Sequence, residues 1–211
     1  MRAHTSPLTV LAWPAHDALR AMQHTDRVFV ISIETVPTND RTAARHAIRT
    51  AICEALDVVT GCDASQRDVA SVPGQPVHLA GSPIGLSISH EVGMSVAAIH
   101  LHGAVGIDIV RRDAISEVAA DWPILARDYL GPAAAARIGA SDLTQRLAVF
   151  ADEWTAQEAR LKCRGFGLIE WDAARESIAA FNLHPLTLPQ PWIGTLAIEK
   201  KITPHRPNPT R

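Results

Sequence analysis

Read as apolar and polar positions, the chain changes period several times. RVFVISIET, Arg27 to Thr35, is β-branched and aromatic and predicts a strand. PTND then supplies a turn and a helix start, and from about Arg41 to Leu56 apolar residues recur at helical spacing. Ala44, Ile48, Ala51, Ile52 and Ala55 form its inward face, while Arg41, Arg45 and Arg49 line a polar flank. A loop rich in proline and glycine follows, with a short strand near Val77 to Leu79. LSISH, MSVAAIHLH and AVGIDIV predict three strands, and their short links, EVG and GA, suggest an antiparallel meander. From Ala114 the period becomes helical: about Ile115 to Leu130, Pro132 to Ile138, and a long helix from Ser141 to Arg164 closed by Gly165 and Gly167. WIGTLAIEK predicts a last strand, and KITPHRPNPTR a frayed tail from about residue 201. The order predicts an α+β protein of two similar halves, residues 1–104 and 105–211, without a sequence repeat.

Two acids break this pattern. At roughly 100° per residue, Leu147, Phe150, Ala151, Trp154 and Leu161 share one arc of the long helix. Glu158 falls in the middle of that arc, with Lys162 one turn on. Asp108 sits inside the apolar strand VGIDIV, beside Gly106, whose missing side chain lets a backbone or a ligand come close. A buried acid is unfavourable unless paired, hydrogen-bonded or bound to a metal. Each alone fits a structural role, Glu158 and Lys162 as an i,i+4 pair and Asp108 as a turn cap. Together they are the minimal protein contribution to a Mg²⁺ site, where water and phosphate complete the shell. Ser89 and His90 end a strand, where a hydroxyl and an imidazole can meet an anion, and the arginine stripe can neutralise phosphate.

Composition removes other classes. The 211 residues are 47% hydrophobic and 20% charged, which is ordinary for a globular chain with a real core. A formal charge of −2 argues against a general nucleic-acid binder, so any anion site is local. Three cysteines without CxxC pairing, and ten histidines without ligand spacing, argue for a reducing, cytoplasmic setting and against structural zinc. No apolar run approaches the ~18 residues of a membrane helix. Pro7 and Pro14 bracket the short apolar run near the start, which reads as a ragged beginning to the fold and not as a signal peptide.

In this order the pieces resemble the surfactin-type 4′-phosphopantetheinyl transferases. The family pattern of Ser-His, Gly-Ile-Asp and Trp-x-x-Lys-Glu-Ala-x-x-Lys reads here as Ser89-His90, Gly106-Ile107-Asp108 and Trp154 through Lys162. Arg41-Thr42 and Gly74-Gln75-Pro76 are weaker upstream matches. Val110, Gln157 and Gln75 depart from the pattern, standing where an acid and two lysines are usual. The resemblance implies a pseudo-twofold monomer with antiparallel sheets packed by helices and coenzyme A in the cleft between halves. Asp108 and Glu158 would hold Mg²⁺, and Glu158, directly or through water, would take the proton of a serine on an apo acyl or peptidyl carrier protein. Lys162 would meet the pyrophosphate, while Ser89, His90, Arg41, Thr42, Arg49 and Gln75 would bind the 3′-phosphate end of coenzyme A. Arg111, Arg112 and Arg164 are candidates to meet an acidic carrier. The three departures leave a second reading, a degenerate member that binds carrier or coenzyme A without catalysis.

Overall fold

The computed structural model describes residues 6–23, 27–38, 41–61, 69–70, 77–79, 81–117, 121–176 and 180–200. They form a mixed α+β structure in which helices pack on two largely antiparallel sheets. The first sheet is built around β3 (Val28–Glu34), which pairs antiparallel with β7 (Met94–His100), itself paired with β6 (Gly85–Glu91). β2 (Leu11–Ala12) adds on one side, and β5 (His78–Leu79) and β4 (Val69–Ala70) on the other. The second sheet runs β1 (Leu8–Thr9), β9 (Phe181–Thr187), β10 (Trp192–Glu199) and β8 (Val105–Arg111). The earliest described strand therefore joins the latest ones.

Three apolar layers hold this together. Helix α1 (His16–Met22) and helix α2 (Thr42–Thr60) cover the first sheet, with Ile48, Ala51, Ile52, Ala55 and Leu56 against Phe29, Ile31, Ala97 and Ile99. The opposite face of that sheet, Val30, Val96 and Ala98, meets Ile107, Ile109 and Leu196 of the second. β7 is thus apolar on both faces, the mark of a strand buried from both sides. On β8 the odd positions face the other sheet, which leaves Gly106, Asp108 and Val110 facing the helices.

Several boundaries differ from the pattern reading. The meander ends after two strands: β6 and β7 form a hairpin, but β8 crosses to the second sheet and pairs with β10. Connection length alone does not distinguish these outcomes. Helix α2 runs on to Thr60, where Gly61 takes the left-handed cap conformation. The expected helix from Ile115 to Leu130 is broken into α3 (Arg112–Glu117) and α4 (Trp122–Leu125), the latter continuing as a π-turn over Ala126–Leu130. Pro123 explains a fresh start there, because its ring suits only the first turn of a helix. α5 (Pro132–Ala140) is as expected, and α6 (Arg146–Cys163) begins five residues later than predicted. A final short helix, α7 (Ala173–Glu176), precedes β9. The PTND turn residues Asn39 and Asp40, the Gly74-Gln75-Pro76 motif and the tail from 201 lie outside the described residues.

The most deeply buried acid of α6 is Glu153, which no sequence argument singled out. Arg137 of α5 donates to both its oxygens, at 2.8 and 3.0 Å. This fork ties α5 to α6 across the helical layer. Arg137→Met should destabilise the fold by about 2 kcal/mol, below the usual range for a buried pair because Arg137 is half-exposed. Urea unfolding measures it, and Arg137→Met with Glu153→Leu should recover most of the loss.

Candidate active site

The site begins where α6 crosses β8. A Cβ on Gly106 would run into the carbonyl oxygen of Ala159 and the amide nitrogen of Cys163, so the helix backbone rests on the strand at this glycine. The close approach that Gly106 permits is therefore to backbone. It sets Lys162 over Asp108, whose Oδ1 accepts from Lys162 Nζ at 2.7 Å. The same Oδ1 accepts from Ser89 Oγ at 2.9 Å. Ser89 Oγ also accepts from the backbone N–H of Ile109 at 3.3 Å and from Lys162 Nζ at 3.2 Å. A second polar contact braces the same layer: Thr155 of α6 and Thr195, the β10 partner of Asp108, join hydroxyls at 2.9 Å.

Glu158 lies one turn before Lys162 and is half-buried. Burial first, then the negative charge of Asp108, push its carboxyl above the usual range, while Lys162 opposes. Asp108 and Glu158 are the two acids here that could hold a hard divalent cation completing its shell from water and phosphate, once Lys162 is drawn from Asp108 toward that phosphate. No three His, Cys, Asp or Glu side chains converge as a ready cage among the described residues. Val110, two residues after Asp108, packs against helix α6 in the cluster of Phe150 and Ile193, so it belongs to the core.

The next residue along β6 points the other way. His90 Nδ1 is 2.7 Å from Ser95 Oγ. Burial, and then Arg41, Arg45, Lys162 and Arg49, push its imidazole down to about 4. The arginines of α2 thus lie close enough for their charges to act on His90. Arg41 and His90 line a cavity of about 110 Å³ with Thr35, Thr38, Ala44 and Glu91. Thr42 opens α2 beside Arg41 and is exposed, and Arg49 is half-buried two turns on. Gln75 lies outside the described residues.

The low value at His90 has a consequence for the ligand-free protein. The folded state holds the ring neutral while the unfolded chain protonates near 6.5, so the unfolded state binds more protons between those values. This contribution to stability is present above 6.5 and is lost as pH falls toward 4. The melting temperature of His90→Gln should fall less steeply than wild type across that window.

Glu91 was missed by the sequence reading, which assigned EVG to a connection. Burial raises its carboxyl, Arg41 opposes, and Asp108 raises it further, so a third acid senses the same charges. The signal was available: alternation along SISHE puts Glu91 on the face of Ser87 and Ser89. Gln157 lines a second cavity, of about 260 Å³, with Arg160, Leu161, Phe166 and Trp171, and accepts from Arg160 at 3.4 Å. Arg111 is bonded to Asp113 and lies over Trp192 at 5.4 Å, and Arg164 lies over Phe166 at 5.2 Å. No described helix is long and apolar enough to cross a membrane.

Comparison with known proteins adds one finding. Residues 104–206 match the model of the 4′-phosphopantetheinyl transferase superfamily. The matched stretch contains Asp108, Glu158 and Lys162, and Ser89, His90 and the arginine stripe lie before it. No curated protein matches the chain.

Proposed function

We propose that the chain is a surfactin-type 4′-phosphopantetheinyl transferase that moves the phosphopantetheine arm of coenzyme A to a serine of an apo acyl or peptidyl carrier protein. The observation that carries this reading is the pairing of Lys162 with Asp108, with Glu158 one helical turn before Lys162, beside a separate cavity lined by Arg41 and His90. One part handles a reacting pyrophosphate and the other anchors a remote phosphate. The superfamily match over the C-terminal half supports the transferase chemistry, and the cavity lined by Arg41 and His90 supports coenzyme A as donor.

In the proposed reaction the carrier serine Oγ forms a bond to the phosphorus bearing the pantetheine arm. The bond from that phosphorus to the bridging pyrophosphate oxygen breaks, and 3′,5′-adenosine bisphosphate leaves with the electron pair. Glu158 takes the serine proton, directly or through water, a task suited to a carboxylate whose affinity for protons is raised. Lys162 offers its ammonium to the pyrophosphate, and Asp108 keeps that ammonium in place. A Mg²⁺ held by Asp108 and Glu158 would supply charge neutralisation on the phosphates. The cavity beside Gln157 offers the uncharged pantetheine arm an apolar wall of Leu161, Phe166 and Trp171. The enzyme is read as a cytoplasmic monomer of two α+β halves.

Intact mass of an apo carrier incubated with the protein, coenzyme A and Mg²⁺ tests this directly. A phosphopantetheine adduct is expected, and its absence on both fatty-acid and peptidyl carriers would overturn the reading. The anchoring role of the Arg41–His90 cavity predicts a further result. Arg41→Ala and His90→Ala should each raise KM for coenzyme A about tenfold, as loss of a charge-assisted contact implies. With dephospho-coenzyme A, which lacks the 3′-phosphate, the same variants should match wild type.

A further inference from the structure

We propose that Ser89 is a positioning residue for Asp108 and Lys162 and does not touch the 3′-phosphate of the donor. The inference rests on the transferase reading above and reassigns one residue within it.

A serine hydroxyl has one proton to give and two lone pairs to accept with. In Ser89 all three are used: the proton goes to Asp108 Oδ1, and the lone pairs receive Ile109 N–H and Lys162 Nζ. The residue is 5% exposed, which leaves no surface for a phosphate. His90, on the opposite face of β6, is the member of the pair that lies with the arginines. Both bonds to Asp108 go to Oδ1, and none reaches Oδ2 from a described residue. Ser89 therefore fixes the carboxylate by one edge and leaves its other oxygen without a described partner.

Ser87 supplies an internal control. Its hydroxyl accepts the N–H of Ile107 at 3.1 Å, as Ser89 does for Ile109, and it is equally buried. The two serines thus give β8 acceptors that a paired strand would otherwise provide. Only Ser89 spends its remaining valences on Asp108 and Lys162.

The test compares Ser87→Ala, Ser89→Ala and Ser89→Thr. Groups that orient metal-binding side chains are commonly worth about 10–100-fold. Ser89→Ala should lower kcat by that factor, with KM for coenzyme A within about twofold of wild type. Mn²⁺ titration of the enzyme–coenzyme A complex by electron paramagnetic resonance, without carrier, should show binding weakened about tenfold. Ser89→Thr should restore both readouts, and Ser87→Ala should lower only the melting temperature. If Ser89→Ala fails to fold, Ser89→Cys, close in volume but a weak donor, should show the same weakened Mn²⁺ binding. A raised KM for coenzyme A but not for dephospho-coenzyme A would make Ser89 a phosphate ligand and overturn the proposal. Equal losses in Ser87→Ala and Ser89→Ala would reduce it to strand stitching, which also overturns it. A wild-type protein that modifies no carrier fails the transferase reading separately, while the Mn²⁺ comparison still decides the role of Ser89.

Discussion

Glu158→Gln is expected to lower carrier modification by roughly 10³-fold and to raise the melting temperature of the metal-free protein. The two effects share one cause. Burial and the Asp108 charge make the folded state hold the Glu158 proton more tightly than the unfolded chain does. Stability from such a group is fully present below the unfolded carboxylate's range and is lost as pH rises through the folded value. Near neutral pH the carboxylate is therefore a burden on the fold, and a neutral amide of the same shape removes it. The amide cannot accept the serine proton, and it offers a metal one neutral oxygen in place of an anionic one. Stability gained where activity is lost is the pattern of a residue kept for chemistry. Kinetics at saturating coenzyme A, paired with thermal melts in a chelator, give both numbers. An active variant, or one that melts lower, would remove Glu158 from the proposed role.

That residue also shows how much the sequence could reveal. Helical periodicity puts Glu158 on an inward arc, and it is half-buried, near enough to Asp108 to feel its charge. The arc itself was too narrow. Glu153, Thr155 and Cys163 are also buried, because α6 is enclosed by β8 and β10 on one side and α5 on another. Periodicity locates one apolar face and cannot report a helix covered on several. The same limit hid Glu153, whose partner lies sixteen residues away on another helix.

The strands divide in the same way. β3, β8 and β10 are rich in β-branched residues, β6 alternates apolar and polar residues, β7 is an apolar run bounded by turn residues, and all five are legible within a residue or two at their ends. β9 was not, because Asn182, His184 and Pro185 dilute its pattern and only pairing with β1 and β10 makes it a strand. β1 and β2 are two residues each, too short for any period to register. Pairing choice was equally invisible, which is why β8 was placed in a meander when it belongs to the second sheet. Of the candidate site, the sequence singles out Asp108, Lys162, Ser89 and His90, and the fold brings the first three into contact. The resemblance groups Ser89 with His90, and strand alternation puts the two on opposite faces of β6.

Gly106→Ala tests the contact on which the whole site depends, and it should be among the most damaging methyls at the described glycines. The added carbon would overlap the α6 backbone at Ala159 and Cys163, where no rotamer change can relieve it. Either α6 lifts from β8 or the strand shifts beneath it. Overpacking a core costs about 1–3 kcal/mol when side chains can adjust, and backbone overlap belongs at or above the upper end of that range. Lifting the helix also withdraws Glu158 and Lys162 from Asp108, so the surviving folded fraction should be slow as well as scarce. Urea unfolding should show a loss of about 3 kcal/mol or more. Activity per folded molecule should fall well over tenfold, since small misplacements of catalytic groups carry penalties of about 10²-fold. Gly167→Ala is the matched control, because a Cβ there meets nothing within 4 Å and the backbone is not left-handed. A Gly106→Ala protein as stable and as fast as that control would mean that α6 is not seated on β8 as the geometry requires.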